Sequence, residues 1–285
     1  MQRLEVSTAE TSAGRMAAGN LRACARALEE DGCVLLPGVV DVGHVDALNG
    51  RMQEDIRRLE RGRGVSNDWQ GVRPPPCHPW LFRDIVFNDM AVDVLRAVLG
   101  EGLALDGYGA NTAYPGEATQ GVHGDGGQLW PGLDRAHPPF GLIVNIPLVD
   151  VDEENGATRF WPGTHKDVGT VMRRSEFVDP ERVRRREAER PSERMCMRRG
   201  DLVVRDNRMW HCGTPNRTAV PRPMLTLIYI APWWFRGGVE FEAGTEDFLK
   251  HETVAVNAVF VEPPIDYLAQ GHSRPLRAAV GARRG

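Results

Sequence analysis

Gln120-Gly121-Val122-His123-Gly124-Asp125 is the stretch on which the reading of this chain turns. In an extended strand alternate side chains share a face, so His123 and Asp125 are expected to point the same way. An imidazole nitrogen beside a carboxylate oxygen supplies two corners of a transition-metal site. A third corner is offered by Arg208-Met-Trp-His211-Cys-Gly, with His211 on or just past a strand candidate containing Val and Leu. Two His and one carboxylate on one face of a metal leave the opposite positions open, as non-haem Fe(II) chemistry with O2 requires. Taken alone, His-x-Asp is better read as a turn: Asp125 stands among Gly124, Gly126 and Gly127, and His123 would be a hydrogen-bonded, partly buried His. The downstream context reverses that. Arg222, eleven residues beyond His211, enters the apolar run Met224-Leu-Thr-Leu-Ile-Tyr-Ile230. A buried Arg at a strand start needs an anion, and its planar fork suits a carboxylate bidentately.

Working outward, 285 residues fit one large domain, 1–285, since β-barrels and sandwiches of this size often stay single. With 41% hydrophobic and 26% charged residues the composition is that of an ordinary globular protein. A formal net charge of −4 gives no reason to expect nucleic acid or an anionic membrane as partner. The Arg-rich block 182–190 is interrupted by Glu and reads as a solvated face. Five cysteines, Cys24, Cys33, Cys77, Cys196 and Cys212, are odd in number and lack C-x-x-C spacing. No apolar segment resembles a secretory signal or a membrane span, so a cytoplasmic location is expected. Cys212 adjoins His211 but would face the other way on a strand, so it is expected to pack rather than ligate.

Residues 1–15 are polar and expected to be loose. Asn20 can cap a helix carrying Leu21, Cys24, Ala25 and Leu28, closed by Gly32. Asp41 can cap a second helix with Val45, Leu48, Met52, Ile56 and Leu59 on one stripe, and Asn88 a third with Ala91, Val94, Leu95 and Val98. The Gly- and Pro-dense stretch from Gly62 to Pro79 reads as a loop. Beyond Leu103 the texture turns to β: 103–113, 120–124, 140–148, 158–161, 201–205 and 224–231 are short strand candidates. Short strands framed by helices predict a mainly β fold, a double-stranded β-helix (jelly roll) buttressed by N-terminal helices, with the metal at its mouth. The charged stretch 166–199 is too long for a simple hairpin connection and reads either as a functional lid or as a solvated surface helix.

Four ordered motifs, together with the fold they predict, resemble the phytanoyl-CoA dioxygenase (PhyH-like) family of Fe(II)/2-oxoglutarate-dependent oxygenases. They are Glu30-Asp-Gly-Cys-Val-Leu-Leu-Pro-Gly38; His123-Gly-Asp125; Glu154-Asn-Gly-Ala-Thr-Arg-Phe-Trp-Pro-Gly-Thr-His165; and Gly200-Asp-Leu-Val-Val through His211, Asn216-Arg-Thr and Arg222. The resemblance runs over roughly residues 20 to 235. It implies His123, Asp125 and His211 as iron ligands and Arg222 as the anchor for the distal carboxylate of 2-oxoglutarate. Gln120 and Thr158 fall where family members place polar contacts to the co-substrate, and Asn145 is a third candidate from the intervening strand. His165 is expected to be structural, and Asn216 to order the turn after His211. The implied cofactors are Fe(II), 2-oxoglutarate and O2, and the implied reaction is hydroxylation of an unactivated C–H bond in a small organic substrate. Desaturation, ring formation or oxidation to a ketone are alternative outcomes of the same oxidation.

Rival classes explain less. A non-oxidative metal-dependent jelly-roll enzyme leaves Arg222 and Asn155-Gly-Ala-Thr158 without a task. A silent binding module does not require the complete set. Halogenation is disfavoured because family halogenases replace the carboxylate by a small residue, whereas Asp125 is present. Tyr108, Trp130, Trp161, Trp210, Trp233 and Trp234 suggest an aromatic-walled pocket. Lysine occurs only at 166 and 250 amid abundant Arg, Ala and Gly, a pattern of GC-rich genomes that points weakly to bacterial natural-product biosynthesis.

Overall fold

In the computed structural model, which describes residues 1–63, 72–172, 177–234 and 237–268, the strand candidates gather mainly into one large sheet. The chain begins with β1 (Gln2–Arg3), α1 (Thr8–Ala13), α2 (Ala18–Asp31), β2 (Cys33–Leu36) and the long α3 (Val42–Arg63). A short α4 (Arg83–Val86) and α5 (Asp89–Leu99) precede β3 (Ala104–Ala113), β4 (Gly141–Pro147) and β5 (Arg159–Phe160). Then come α6 (Pro180–Glu189), β6 (Glu193–Arg194), β7 (Leu202–Asp206), β8 (His211–Cys212) and β9 (Arg222–Ile230). The described chain closes with β10 (Val239–Glu242), β11 (Ala255–Val256) and β12 (Ala258–Val261).

The large sheet has seven strands in the order β1-β2-β7-β4-β9-β3-β11, antiparallel from β2 to β3 and parallel at both edges. A three-stranded sheet, β6-β5-β8, faces it, and β10 pairs with β12 separately. Alternation along the central strands sorts side chains between two layers. Leu142, Val144, Ile146, Leu202, Val204, Leu225 and Leu227 pack with Leu28, Val45, Leu48, Met52, Val94 and Leu95 from α2, α3 and α5. Val203, Met224, Cys33 and Leu35 face the other way and meet Phe160 and Met209 between the two sheets. Burial on both faces explains why β4 reads as a nearly continuous apolar run, broken only by Asn145. This is the mainly β double-stranded β-helix with helices behind its larger sheet.

The capping chemistry holds in detail at two helices. Asp41 accepts the His44 N–H at 3.1 Å ahead of α3, and Asn88 accepts the Ala91 N–H at 3.1 Å at the start of α5. Helix α2 departs from expectation by starting at Ala18, so Asn20 lies inside it and donates its amide to Glu10 instead. Residues 1–15 are not loose. Gln2 and Arg3 pair with Val34 and Leu35, and Ser7 with Glu10 forms a reciprocal capping box for α1. Residues 120–124 form no strand; His123 makes isolated bridges to His211 and Phe177 within a glycine-rich turn.

Of the stretch 166–199, residues 180–189 form a helix with no buried residues, fastened at its C-terminal end. Glu187 accepts the Trp161 indole N–H at 2.6 Å, and Arg190 reaches Asp31 at 2.7 Å. Residues 173–176 of that stretch, and 64–71 of the Gly/Pro-dense loop, lie outside the described residues.

Gly32 links α2 to β2 at φ +82°, and a Cβ there would stand 2.6 Å from the His165 Nδ1. Gly32→Ala is therefore expected to destabilise the fold by at least about 1–3 kcal/mol. Gly50 is exposed inside α3, and a methyl group added there would meet nothing within 4 Å, so it should behave oppositely. Gly50→Ala is expected to stabilise by about 0.5–1 kcal/mol, both values to be read from urea denaturation.

Candidate metal and co-substrate site

Two backbone hydrogen bonds create the site. The His123 N–H donates to the His211 carbonyl at 3.0 Å, and the His211 N–H donates back to the His123 carbonyl at 2.8 Å. This narrow antiparallel pair places the two imidazoles with ring centroids 4.4 Å apart. Asp125 turns in beside them, its Oδ1 3.9 Å from the His123 Nε2 and its Oδ2 3.5 Å from the His211 Nε2. One donor atom from each of the three residues lies within 4.8 Å of the others, a spread a single metal ion can span.

Both rings are already oriented for such an ion. The His123 Nδ1 sits 2.9 Å from the Gly121 carbonyl and the His211 Nδ1 3.0 Å from the Met209 carbonyl. With Nδ1–H donating to a carbonyl, each ring presents its Nε2 lone pair inward, the usual support of metal-binding imidazoles. Burial pushes the His211 imidazole down to a pKa of about 3, so it is neutral at physiological pH. Burial alone would raise the Asp125 carboxyl, but the neighbouring imidazole and the Arg205 guanidinium hold it below the usual carboxylate range. Its side chain is 35% exposed against 14% and 8% for His123 and His211, so the site opens on the Asp125 side. Two imidazole nitrogens and one carboxylate oxygen fit a divalent first-row ion such as Fe(II).

Arg222 is the expected co-substrate anchor. It heads β9, is 3% exposed, and donates from Nε to the Asn155 carbonyl at 3.4 Å and from Nη2 to the Gly156 carbonyl. No carboxylate among the described residues pairs with it, and burial alone lowers its pKa to about 10, leaving it charged. A buried cation held only by carbonyls lacks the counter-charge that its own desolvation calls for. An anionic ligand would supply that charge.

The remaining predicted residues divide. Gln120 joins the metal loop to the chain after β8, exchanging bonds of 3.1 Å with the Gly213 backbone through its N–H and its Oε1. Thr158 is half-buried, and its backbone carbonyl accepts the Met195 N–H at 2.9 Å. The amide of Asn145 is committed within the protein: it donates to the Leu225 carbonyl and the Thr226 hydroxyl and accepts from Arg205 at 2.9 Å. Asn216 knits the turn after β8 to the Ala113 and Val220 carbonyls, and His165 is buried with Nε2 3.1 Å from the Glu29 carbonyl. Cys212 packs with Trp161, Val178 and Trp210, away from the metal ligands.

The aromatic residues do not form one wall. Trp161, Trp210 and Tyr108 are core residues, and Trp130 and Trp233 are exposed at 57% and 59%. The aromatic ring that does stand at the site is Phe177, which sequence reasoning missed. It is 58% exposed, its ring edge-on to His123 at 6.3 Å. Gly121 makes room for it, since a Cβ there would come within 2.7 Å of the ring. Arg205, which bonds the Asp125 Oδ2 at 2.7 Å, was also missed.

Comparison with known proteins follows this geometry. A family model for phytanoyl-CoA dioxygenase (PhyH) matches residues 28–224. The chain is 28% identical over 217 residues to "Dioxygenase af480" of Aspergillus fumigatus, covering 72% of this chain and 65% of that protein. It is 27% identical over 158 residues to "Dioxygenase FUM3" of Gibberella moniliformis, covering 48% of this chain and 52% of that one. The chain thus spans between about half and two thirds of these relatives' length. Among solved structures it is similar to SnoK, a non-haem α-ketoglutarate-dependent carbocyclase from nogalamycin biosynthesis. The TM-score is 0.55 at 21% identity, over 74% of this chain and 83% of that one. It is also similar to the SnoN epimerase from the same biosynthesis (TM-score 0.51, 21% identity, 75% and 84% covered). The fold is shared by both. With the family model spanning well over half of its residues, the chain belongs to the phytanoyl-CoA dioxygenase (PhyH) family.

Proposed function

We propose that the protein is an Fe(II)/2-oxoglutarate-dependent oxygenase that hydroxylates an unactivated C–H bond of a small organic substrate. The observation that carries this reading is Arg222: a buried, charged guanidinium without a carboxylate partner among the described residues, on the strand that follows the His123/Asp125/His211 cluster. A non-oxidative metal enzyme needs the cluster but has no use for that cation. A dicarboxylate co-substrate needs both, one end for the metal and the other for Arg222.

In this reading His123, Asp125 and His211 would hold Fe(II), each offering one donor atom. Bound together, Fe(II) and 2-oxoglutarate supply an O2-derived oxidant able to break an unactivated C–H bond. The protein's part is positioning and exclusion of water. The carbonyls of Gly121 and Met209 fix both imidazole tautomers, while those of Asn155 and Gly156 aim Arg222. Gln120 and the Thr158 hydroxyl are assigned further polar contacts to the co-substrate. Phe177 offers an apolar face beside His123, which suits a hydrophobic substrate surface at the open side of the site.

The fold neighbours are named for ring closure and epimerisation, so architecture does not choose the outcome. Hydroxylation is proposed as the direct consequence of an intact ligand set; a soluble enzyme of bacterial natural-product metabolism is the setting that the composition favours.

Three outcomes test the reading. His211→Ala should abolish turnover and strongly weaken Fe(II) binding in calorimetry while far-UV circular dichroism stays native; unchanged affinity would remove the assignment. Arg222→Ala leaves the distal carboxylate buried and unpaired, a loss of about 2–5 kcal/mol or roughly 30- to several-thousand-fold in affinity. Its KM for 2-oxoglutarate, followed by succinate formation, should rise accordingly with Fe(II) affinity little changed. Arg222→Lys should recover part of the loss because charge survives and bidentate geometry does not. Finally, with Asp125 occupying the carboxylate position, the native enzyme in excess chloride should give no chlorinated product by mass spectrometry.

A further inference from the structure

Arg205 is an anomaly in β7. Val203 two residues earlier, Ile143 directly across on β4 and Cys33 directly across on β2 are apolar and buried, and the polar Asn145 lies next along β4. Yet it carries a full charge at 3% exposure. Its Nη2 donates to the Asp125 Oδ2 at 2.7 Å, and among the described residues Asp125 is its one carboxylate partner. Its Nε donates to the Asn145 Oδ1 at 2.9 Å, and Nη1 is buried without a hydrogen-bond partner among the described residues. Asn145, 1% exposed, is itself fixed by the Leu225 carbonyl at 3.1 Å and the Thr226 hydroxyl at 3.2 Å. Strands β4 and β9 thus hold a rigid guanidinium against one oxygen of the ligand carboxylate. A neutral residue would pack this position at lower desolvation cost, so the charge calls for an explanation beyond stability.

We propose that Arg205 is a positioning residue that orients Asp125 and, through its charge, biases the metal centre toward the divalent ion. The proposal rests on the metal-site reading given above. Two physical effects point the same way. A carboxylate oxygen already accepting a charge-assisted hydrogen bond donates less electron density to a metal. A fixed positive charge next to the ligand also repels a trivalent ion more than a divalent one, and in a partly buried site that difference is poorly screened. The consequence is an Fe(III)/Fe(II) equilibrium shifted toward Fe(II), the state the proposed reaction needs before O2 arrives. Loss of a purely structural contact would weaken both oxidation states alike and leave that equilibrium where it was.

The test separates charge from shape. Native protein, Arg205→Gln, Arg205→Lys and Asn145→Ser are titrated with Zn(II) by calorimetry. The iron-loaded forms, without any 2-oxo acid, are then titrated anaerobically for their midpoint potential. Arg205→Gln should shift the Fe(III)/Fe(II) equilibrium at least tenfold toward Fe(III), a fall of about 59 mV or more. Arg205→Lys, which keeps the charge, should stay close to native, and Asn145→Ser, which loosens Arg205, should fall between. Asn145→Ser carries the test by itself if Arg205→Gln does not fold. An unchanged potential in Arg205→Gln with Zn(II) binding retained would overturn the proposal, as would equal weakening of both oxidation states. Native protein that binds no Zn(II) would remove the metal site itself, and the role of Arg205 with it.

Discussion

The chemistry proposed for this protein depends on one reciprocal pair of backbone hydrogen bonds, between His123 and His211. The two residues lie far apart in sequence, and neither sits in a long strand. His123 belongs to a glycine-rich turn and His211 to a two-residue strand of the smaller sheet. Backbone pairing fixes the two Cα–Cβ bonds relative to one another, and a carbonyl against each Nδ1 then sets ring orientation and tautomer. The large sheet and its helices supply a rigid wall against which this small sheet can be held. Met209, packed with Phe160 and Val203 between the sheets, also lends its carbonyl to His211, so the core and the site share a residue.

Arg205 and Arg222 are both buried guanidinium groups, and they differ in what they lack. Arg205 has a carboxylate partner, Asp125, and an amide to aim it. Arg222 has, among the described residues, carbonyls only. Desolvating a cation is costly wherever it happens, so each position requires a compensating charge. For Arg205 that charge is part of the protein, the carboxylate of Asp125, which is also a proposed metal ligand. For Arg222 no carboxylate among the described residues supplies it, and the proposed dicarboxylate co-substrate would.

Much of this was legible in the sequence because it is written in residue types that have few other uses. The strands from Leu103 to Ala231, the caps at Asp41 and Asn88, and the convergence of His123, Asp125 and His211 all appear where pattern and chemistry place them, the 120–124 strand excepted. Three features escaped. The Ser7 and Glu10 capping box that orders the N-terminus was a visible signal, masked by the polarity around it. Arg205 was equally visible, as a charge one position beyond Leu202-Val-Val at inward-facing parity, but its partner Asp125 is distant in sequence. Phe177 could not have been found: its place beside His123 comes from a backbone bridge between loops, which no local periodicity encodes. The tryptophans mislead for the converse reason, since bulky rings near motifs in sequence, such as Trp161 and Trp210, serve the core behind the site.

The central claim is that one metal ion on His123, Asp125 and His211 and one dicarboxylate on Arg222 occupy a single site. Its most direct test is the anaerobic visible spectrum of the Fe(II)-loaded protein during titration with 2-oxoglutarate. Chelation of Fe(II) by the keto acid should produce a charge-transfer band that saturates at one equivalent of co-substrate in the native protein. The band should be absent in His211→Ala and should require far more 2-oxoglutarate in Arg222→Ala. A native Fe(II) protein that develops no band, or a band indifferent to Arg222, would contradict the account.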